Sequence, residues 1–223
     1  MDLSKSLDFF NPTKYNDRIH IIGCGSVGAT LAENLARLGL AKFTLWDFDI
    51  VESKNIANQM FVFKDIGEKK VDAVKRIILD INPMAEKDIV LKDNGWNGEA
   101  LSGIIFLAVD NIEIRKEIVK KNKFNPNIKA MFDFRTGLYD AQHYAAIWSN
   151  PTEKEDFYNS MNFSADEADK ATPMSACHTL LSVNPTIRII CGYGVANFIN
   201  FWNTGEIKKL ILINAFDANV IAC

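Results

Sequence analysis

The sequence predicts a doubly wound α/β fold, with a mostly parallel sheet covered by helices and antiparallel strands near its end. Three observations carry that prediction. Within about thirty residues, an apolar β-branched stretch (Arg18 to Ile22), a glycine-rich turn, a helical apolar pattern and a second strand follow one another. A βαβ unit of this kind implies parallel pairing. The run Gly103 to Val109 is apolar after its first residue, as a strand covered on both faces requires. Between residues 68 and 81 a second helical periodicity supplies another covering layer.

Each element has its own local warrant. The first strand ends where glycine follows at once, and from Val27 the positions Val27, Leu31, Leu35 and Leu38 recur at helical spacing up to Gly39, a usual helix stop. Lys42 to Trp46 forms the second strand and closes on Asp47. Val71, Val74, Ile78 and Ile81 define the helix Glu68 to Ile81, which stops before Asn82-Pro83 because a residue preceding proline avoids helical geometry. Strands are expected at Lys87 to Leu91 and Gly103 to Val109, a helix at Ile112 to Lys121, and strands at Ile128 to Phe132 and Ala141 to Trp148, the last one antiparallel. Asn150 to Pro173 is polar and reads as a surface loop with a short helix. Thr179 to Phe201 reads as a long apolar helix interrupted at Asn184-Pro185, and Lys208 to Ile213 with Ala218 to Ala222 as a terminal hairpin. At 223 residues the whole, 1–223, is expected to be one domain.

Bulk properties exclude several classes. A hydrophobic share of 48% with 24% charged residues is ordinary for a soluble protein, and no stretch of membrane-spanning length stands out. Met1 to Phe10 lacks the basic region and long apolar core of a secretory signal, so the expected location is cytoplasmic. The net charge is -3 and the basic residues are scattered, which makes nucleic acid a poor partner. Cys24, Cys177, Cys191 and Cys223 form no CxxC pair, so neither a disulfide framework nor a structural zinc site is expected.

Gly23-Cys24-Gly25-Ser26-Val27-Gly28 fits GxGxxG with a strand before it and a helix after it. In such a turn the glycines Gly23, Gly25 and Gly28 permit, in order, the tight bend, close approach of a phosphate, and packing of helix on strand. Free amides at the helix start attract the anion. About twenty residues on, Asp47 is placed to accept ribose hydroxyls. The fold is therefore read as Rossmann-like; nicotinamide and flavin dinucleotides and ATP are all compatible with these features alone.

The segment from Asp47 to Gln59, DFDIVESKNIANQ, resembles the D-x-D-x-V-x-x-S-N-L-x-R-Q block of the ThiF/MoeB and ubiquitin-activating enzyme family. Asp65-Ile66-Gly67 with Lys70, Ile81-Asn82-Pro83, and Asp110-Asn111 with Arg115 are similar to the family elements that follow, in the same order. The resemblance implies ATP and magnesium as cofactors. It would put Asn55, Gln59 and Lys70 on the phosphates, Asp47 on the ribose, and Asp110 on the metal. Adenylation of a carboxylate brings two anions together, so a lysine and a hard cation suit the chemistry. It further implies a carboxylate substrate such as the C-terminus of a ubiquitin-like or sulfur-carrier protein, and a homodimer. Two departures stand out: Asn58 occupies the position of the family's arginine, and the zinc-binding CxxC pairs are absent. Arg135, in Asp133-Phe134-Arg135-Thr136-Gly137, is the favoured substitute cation, with Lys14 and Arg18 behind it.

Cys177-His178-Thr179, before the apolar helix, resembles the placement of the acceptor cysteine in autophagy-type activating enzymes, which implies a nucleophile. The alternative is a small structural residue near a helix end. Two other functions remain open: an NAD-dependent oxidoreductase, and a non-catalytic relative that binds nucleotide or protein.

Overall fold

The computed structural model describes residues 1–164, 167 and 181–223. Eight strands, β1 (Ile19–Ile22), β2 (Phe43–Trp46), β3 (Val90–Lys92), β4 (Gly103–Leu107), β5 (Ile128–Thr136), β6 (Asp140–Ile147), β7 (Leu210–Asn214) and β8 (Asn219–Ala222), form one sheet. Their order is β3-β2-β1-β4-β5-β6-β7-β8. β1 to β5 are mutually parallel, and β6, β7 and β8 follow antiparallel, as expected.

The chain moves outward from β1 through β2 to β3 and then returns to the other side of β1 with β4. Ile19 pairs with both Phe43 and Ile104, so β1 lies between the two directions of winding. Helices at such a reversal diverge to opposite faces and leave a crevice at the carboxyl ends of the strands.

Helices α1 (Ser26–Arg37), α2 (Lys70–Ile81) and α5 (Asn184–Thr204) cover one face, where Leu31, Leu35, Val74, Ile78, Ile190 and Phe198 are fully buried. α3 (Ile112–Asn122) and α4 (Pro151–Asn159) cover the other, around Ile105, Leu107, Ile118, Trp148 and Phe157. No helix among the described residues is long and apolar enough to cross a membrane.

β4 stops at Leu107, short of the expected Val109, and α2 starts at Lys70 and not at Glu68; three further elements differ from the sequence expectation. β3 is shorter and later, because Pro83 both ends α2 and opens a 3-10 turn that absorbs residues up to Asp88. β5 runs on to Thr136, since β6 folds back along it from Ala130↔Ile147 to Thr136↔Ala141 and supplies partners the sequence window cannot show. The long apolar helix starts at Asn184, with Pro185 in its first turn, where a missing N–H breaks no helical bond; Thr179 and Leu180 lie outside the described residues. The short helix expected in the polar stretch is α4, whose cap Asn150 accepts from the backbone N–H groups of Thr152 and Glu153.

Candidate functional site

A cavity of about 260 Å³ opens at the carboxyl ends of β1, β2 and β4. Gly23, Gly25, Asp47, Gln59, Lys70 and Asp110 all line it. The turn, the strand end, the α2 start and the β4 end thus converge on one space, although they are spread along the sequence from Gly23 to Asp110.

The three glycines do different work. Gly23 has φ +95°, and a Cβ there would fall 2.6 Å from the Ala108 carbonyl carbon of β4's extension. A Cβ on Gly28 would sit 1.8 Å from the Gly23 carbonyl oxygen, so the helix can meet the strand only without a side chain. Gly25 differs: a Cβ there would meet nothing nearer than the Gln59 amide at 3.9 Å. The open side of Gly25 faces the cavity, where a ligand's oxygen atoms would need room.

Asp47 locks the turn to β2. Its Oδ2 accepts the Cys24 N–H at 2.6 Å and its Oδ1 accepts the Asp49 N–H at 2.8 Å. Burial raises its carboxyl pKa, and the two amide hydrogen bonds and Lys70 work against that rise. A carboxylate with about four lone-pair sites retains capacity for ribose hydroxyls.

Lys70 is the first residue of α2, only 8% exposed, and its Nζ lies 2.7 Å from Asp49 Oδ2. Its side chain enters the cavity and does not lie along a solvated helix face. Asp110 also lines the cavity, is exposed, and has no side-chain hydrogen-bond or ion-pair partner among the described residues. Helix α3 is capped instead by Asn111, whose Oδ1 accepts from Glu113 and Ile114. Gln59 lines the cavity, and its Oε1 is buried with no partner among the described residues.

Other expected residues are placed elsewhere. Asn55 is buried outside the cavity lining, and its Oδ1 accepts the Glu52 N–H at 2.8 Å. Arg135, the favoured replacement for the arginine missing at Asn58, is committed: Nε donates to Asp133 Oδ2 at 2.7 Å, and Nη1 and Nη2 donate to the Ser160 carbonyl and hydroxyl. It lies outside the lining: Asp133 on its own strand and Ser160 at the end of α4 take its donors, and Tyr144 of β6 stacks against it. Arg18 binds the carbonyls of Phe43 and Asp88 at the amino ends of the strands, opposite the cavity, and Lys14 is exposed in a short 3-10 turn. Cys177, with His178, lies outside the described residues. Cys24 and Cys191 are buried, and burial pushes both thiols well above their usual range.

Sequence reasoning passed over the apolar half of the cavity: Trp46, Phe48 and Trp96, together with Asn94-Gly95. The Trp46 Nε1–H donates to His20 Nδ1 at 3.1 Å, and the Trp96 Nε1–H donates to the Glu99 carbonyl at 3.0 Å, so both rings are held at their polar edges. Phe48 and Asp49 stand inside the 47–59 motif, which is the signal that could have found them. Trp96 gave no signal, since it lies in an irregular loop without periodicity.

Comparisons with known proteins bear on the family and the fold. The family model described as the ThiF family matches residues 14–210. Ubiquitin-like modifier-activating enzyme 5 of Arabidopsis thaliana is 34% identical over 85 residues, which is 38% of this chain and 19% of that protein. The tRNA threonylcarbamoyladenosine dehydratase of Bacillus subtilis is 39% identical over 75 residues, 33% of this chain and 30% of that protein. Among solved structures, E. coli MccB with MccA-N7isoASN superposes with a TM-score of 0.70 at 17% identity, covering 93% of this chain and 64% of that one. E. coli MccB with ATP gives 0.63 at 18% identity, covering 93% and 63%. At such identities the structural likeness concerns the fold alone. The chain spans less than a third of these curated relatives and less than two thirds of the MccB chain. With the model match running through nearly the whole chain, including the glycine turn, Lys70 and Asp110, the chain belongs to the ThiF family.

Proposed function

We propose that this chain is a single cytoplasmic adenylation domain that uses ATP and magnesium to activate a carboxylate. One observation carries the reading: Lys70, Gly25 with its open side, and Asp110, which has no side-chain partner among the described residues, line one cavity. The solved structure of MccB with ATP and the similarity to ubiquitin-like modifier-activating enzymes support it.

The charges explain the need for a metal. Among the described residues the lining holds three carboxylates, Asp47, Asp49 and Asp110, against the single cation of Lys70. A bare triphosphate would be repelled, whereas one carrying a divalent cation would not. Magnesium is satisfied by one protein carboxylate plus phosphate oxygens and water, and Asp110 fits that donor set. When bound it would offset the charge of the triphosphate and of the departing pyrophosphate. Asp47 would orient the ribose, the Gly25 amide face would receive the phosphates, and Lys70 would exchange Asp49 for a phosphate oxygen. Because Asp49 is half-exposed, that pair is worth under about 1 kcal/mol and yields readily. A carboxylate oxygen of the substrate then attacks the α-phosphorus, the bond to the β-phosphate bridge oxygen breaks, and pyrophosphate leaves with its electron pair. Phe48 and Trp96 supply the apolar wall against which a base can stack.

The substrate we favour is the C-terminal carboxylate of a ubiquitin-like or sulfur-carrier protein, with a homodimer as the working unit and Cys177 as acceptor of the activated acyl group. Isotope exchange between pyrophosphate and ATP, dependent on a carrier protein, tests the adenylation step. A Cys177→Ala chain that retains exchange but forms no thioester places the acceptor. A second reading, a non-catalytic nucleotide binder, draws on Asn58 and on the commitment of Arg135 to Asp133 and Ser160. Nucleotide-dependent melting without exchange would establish it.

A further inference from the structure

Behind the Asp110 wall lies a buried charge cluster that the proposed chemistry does not use. Asp133 is fully buried on β5, and its two oxygens are taken by different arginines: Oδ1 by Arg115 Nη1 at 2.5 Å and Oδ2 by Arg135 Nε at 2.7 Å. Arg115 projects from the first turn of α3 and donates Nε to the Val109 carbonyl at 2.7 Å, with Nη2 on the same oxygen and Nη1 also on the Phe134 carbonyl. Val109 and Asp110 are consecutive residues of the cavity lining. On the far side Arg135 stacks over Tyr144 and holds Ser160, the C-cap residue of α4. Two guanidinium groups against one carboxylate leave a surplus positive charge close behind the wall.

A purely structural ion pair between Arg115 and Asp133 would not need two further donors on the single carbonyl of Val109. Val109 and Asp110 follow β4 with no ladder partner of their own, so between the Ala108 N–H, which donates to the Ile22 carbonyl, and the cap at Asn111 the turn carrying Asp110 is gripped at the Val109 carbonyl by Arg115. We propose that the Arg115–Asp133–Arg135 cluster is a positioning device for Asp110: it fixes the peptide before that carboxylate and thereby sets the affinity for the metal-bound form of the nucleotide. Arg115 and Arg135 are positioning residues and touch no substrate. The proposal rests on the nucleotide reading above.

The test is a double-mutant cycle on the full chain, read by calorimetric titration of ATP with and without magnesium. Arg115→Lys keeps a charge for Asp133 but cannot grip the Val109 carbonyl as well. It is expected to weaken magnesium-ATP binding about tenfold, the usual loss when a group supporting a metal ligand is removed. Metal-free ATP binding should change by less than about twofold, and Asp110→Asn combined with Arg115→Lys should bind no more weakly than Asp110→Asn alone. Losses that multiply, or an equal loss without magnesium, would overturn the proposal while leaving the nucleotide reading in place. A wild-type chain that binds ATP in neither condition overturns that reading and the proposal with it. If Arg115→Lys does not fold, Arg135→Lys, which loosens the same carboxylate from its less buried side, enters the cycle with the same criteria.

Discussion

Lys70 is tied twice to Asp49: its Nζ lies 2.7 Å from the Asp49 carboxylate, and its backbone N–H donates to the Asp49 carbonyl at 2.9 Å. A lysine in the first turn of a helix opposes the helix dipole, and the N-cap residue of α2 is a second lysine, Lys69, itself paired to Asp93. The dipole argues against a choice made for helix stability and agrees with the proposed role of Lys70 as a partner for an incoming anion. Lys70→Ala should therefore keep stability within about 1 kcal/mol, the dipole relief offsetting the lost packing of the stem. ATP-pyrophosphate exchange should fall by about a hundredfold, as for removal of a group aimed at transition-state charge. Denaturant melts and exchange assays on one preparation check both halves.

The glycines separate fold from function. Gly28→Ala places a methyl 1.8 Å from the Gly23 carbonyl oxygen, and the chain should not reach a native melting transition. Gly25→Ala meets only the flexible Gln59 amide, at 3.9 Å. It should fold with a stability loss below about 1 kcal/mol and bind ATP about tenfold or more weakly, because the methyl occupies the phosphate approach. A Gly25→Ala chain with unaltered ATP affinity would remove the glycine turn from the site.

At the neighbouring pair Asp110-Asn111 the roles divide in the opposite way. Asn111 carries the cap of α3, so Asn111→Ala should lower stability by about 1 kcal/mol and leave a measurable exchange activity. Asp110 makes no contribution to that cap, so Asp110→Ala should melt like the wild type and show no exchange. Paired thermal melts and assays distinguish this from a shared structural role.

Acid should weaken the fold through two histidines. Burial pushes His20 and His143 down to about 4, with Arg18 adding to the effect at His20 and the Asp133 carbonyl and carboxylate opposing it at His143. His143 is stacked on Phe132 and Phe134, with Nδ1 at 3.1 Å from the Asp133 carbonyl and Nε2 at 3.1 Å from the Asn197 amide nitrogen. A second ring proton would face a donor. Between about pH 6.5 and 4 the unfolded chain binds more protons than the folded one, so stability is full above that window and falls as pH drops through it. Each histidine accounts for on the order of 3 kcal/mol. In urea melts between pH 7 and 4.5, His143→Gln should be less stable at neutral pH and lose about half of this pH slope. An unchanged slope would refute the assignment.

Much of the site was legible because its parts are local. The glycine turn, Asp47 at a strand end, and Lys70 opening a helix after Asp65-Ile66-Gly67 are short-range patterns, and the motif order carried them together. Asn55 shows the limit of that kind of inference: the motif names the residue, but its side chain turns to the Glu52 N–H and leaves the lining to Gln59. Arg135 shows another. A cation after a strand looks available until β6, Tyr144 and Ser160 arrive from later in the chain.

The sequence by itself determined the parallel α/β wind, the phosphate-type turn and the family, since hydrophobic period, glycine placement and motif spacing are properties of neighbouring residues. Only the tertiary structure decided which charges face the cavity and which neutralise one another behind it. That outcome depends on partners distant in the chain, and a buried charge takes whichever partner the packing brings within about 3 Å, regardless of sequence distance.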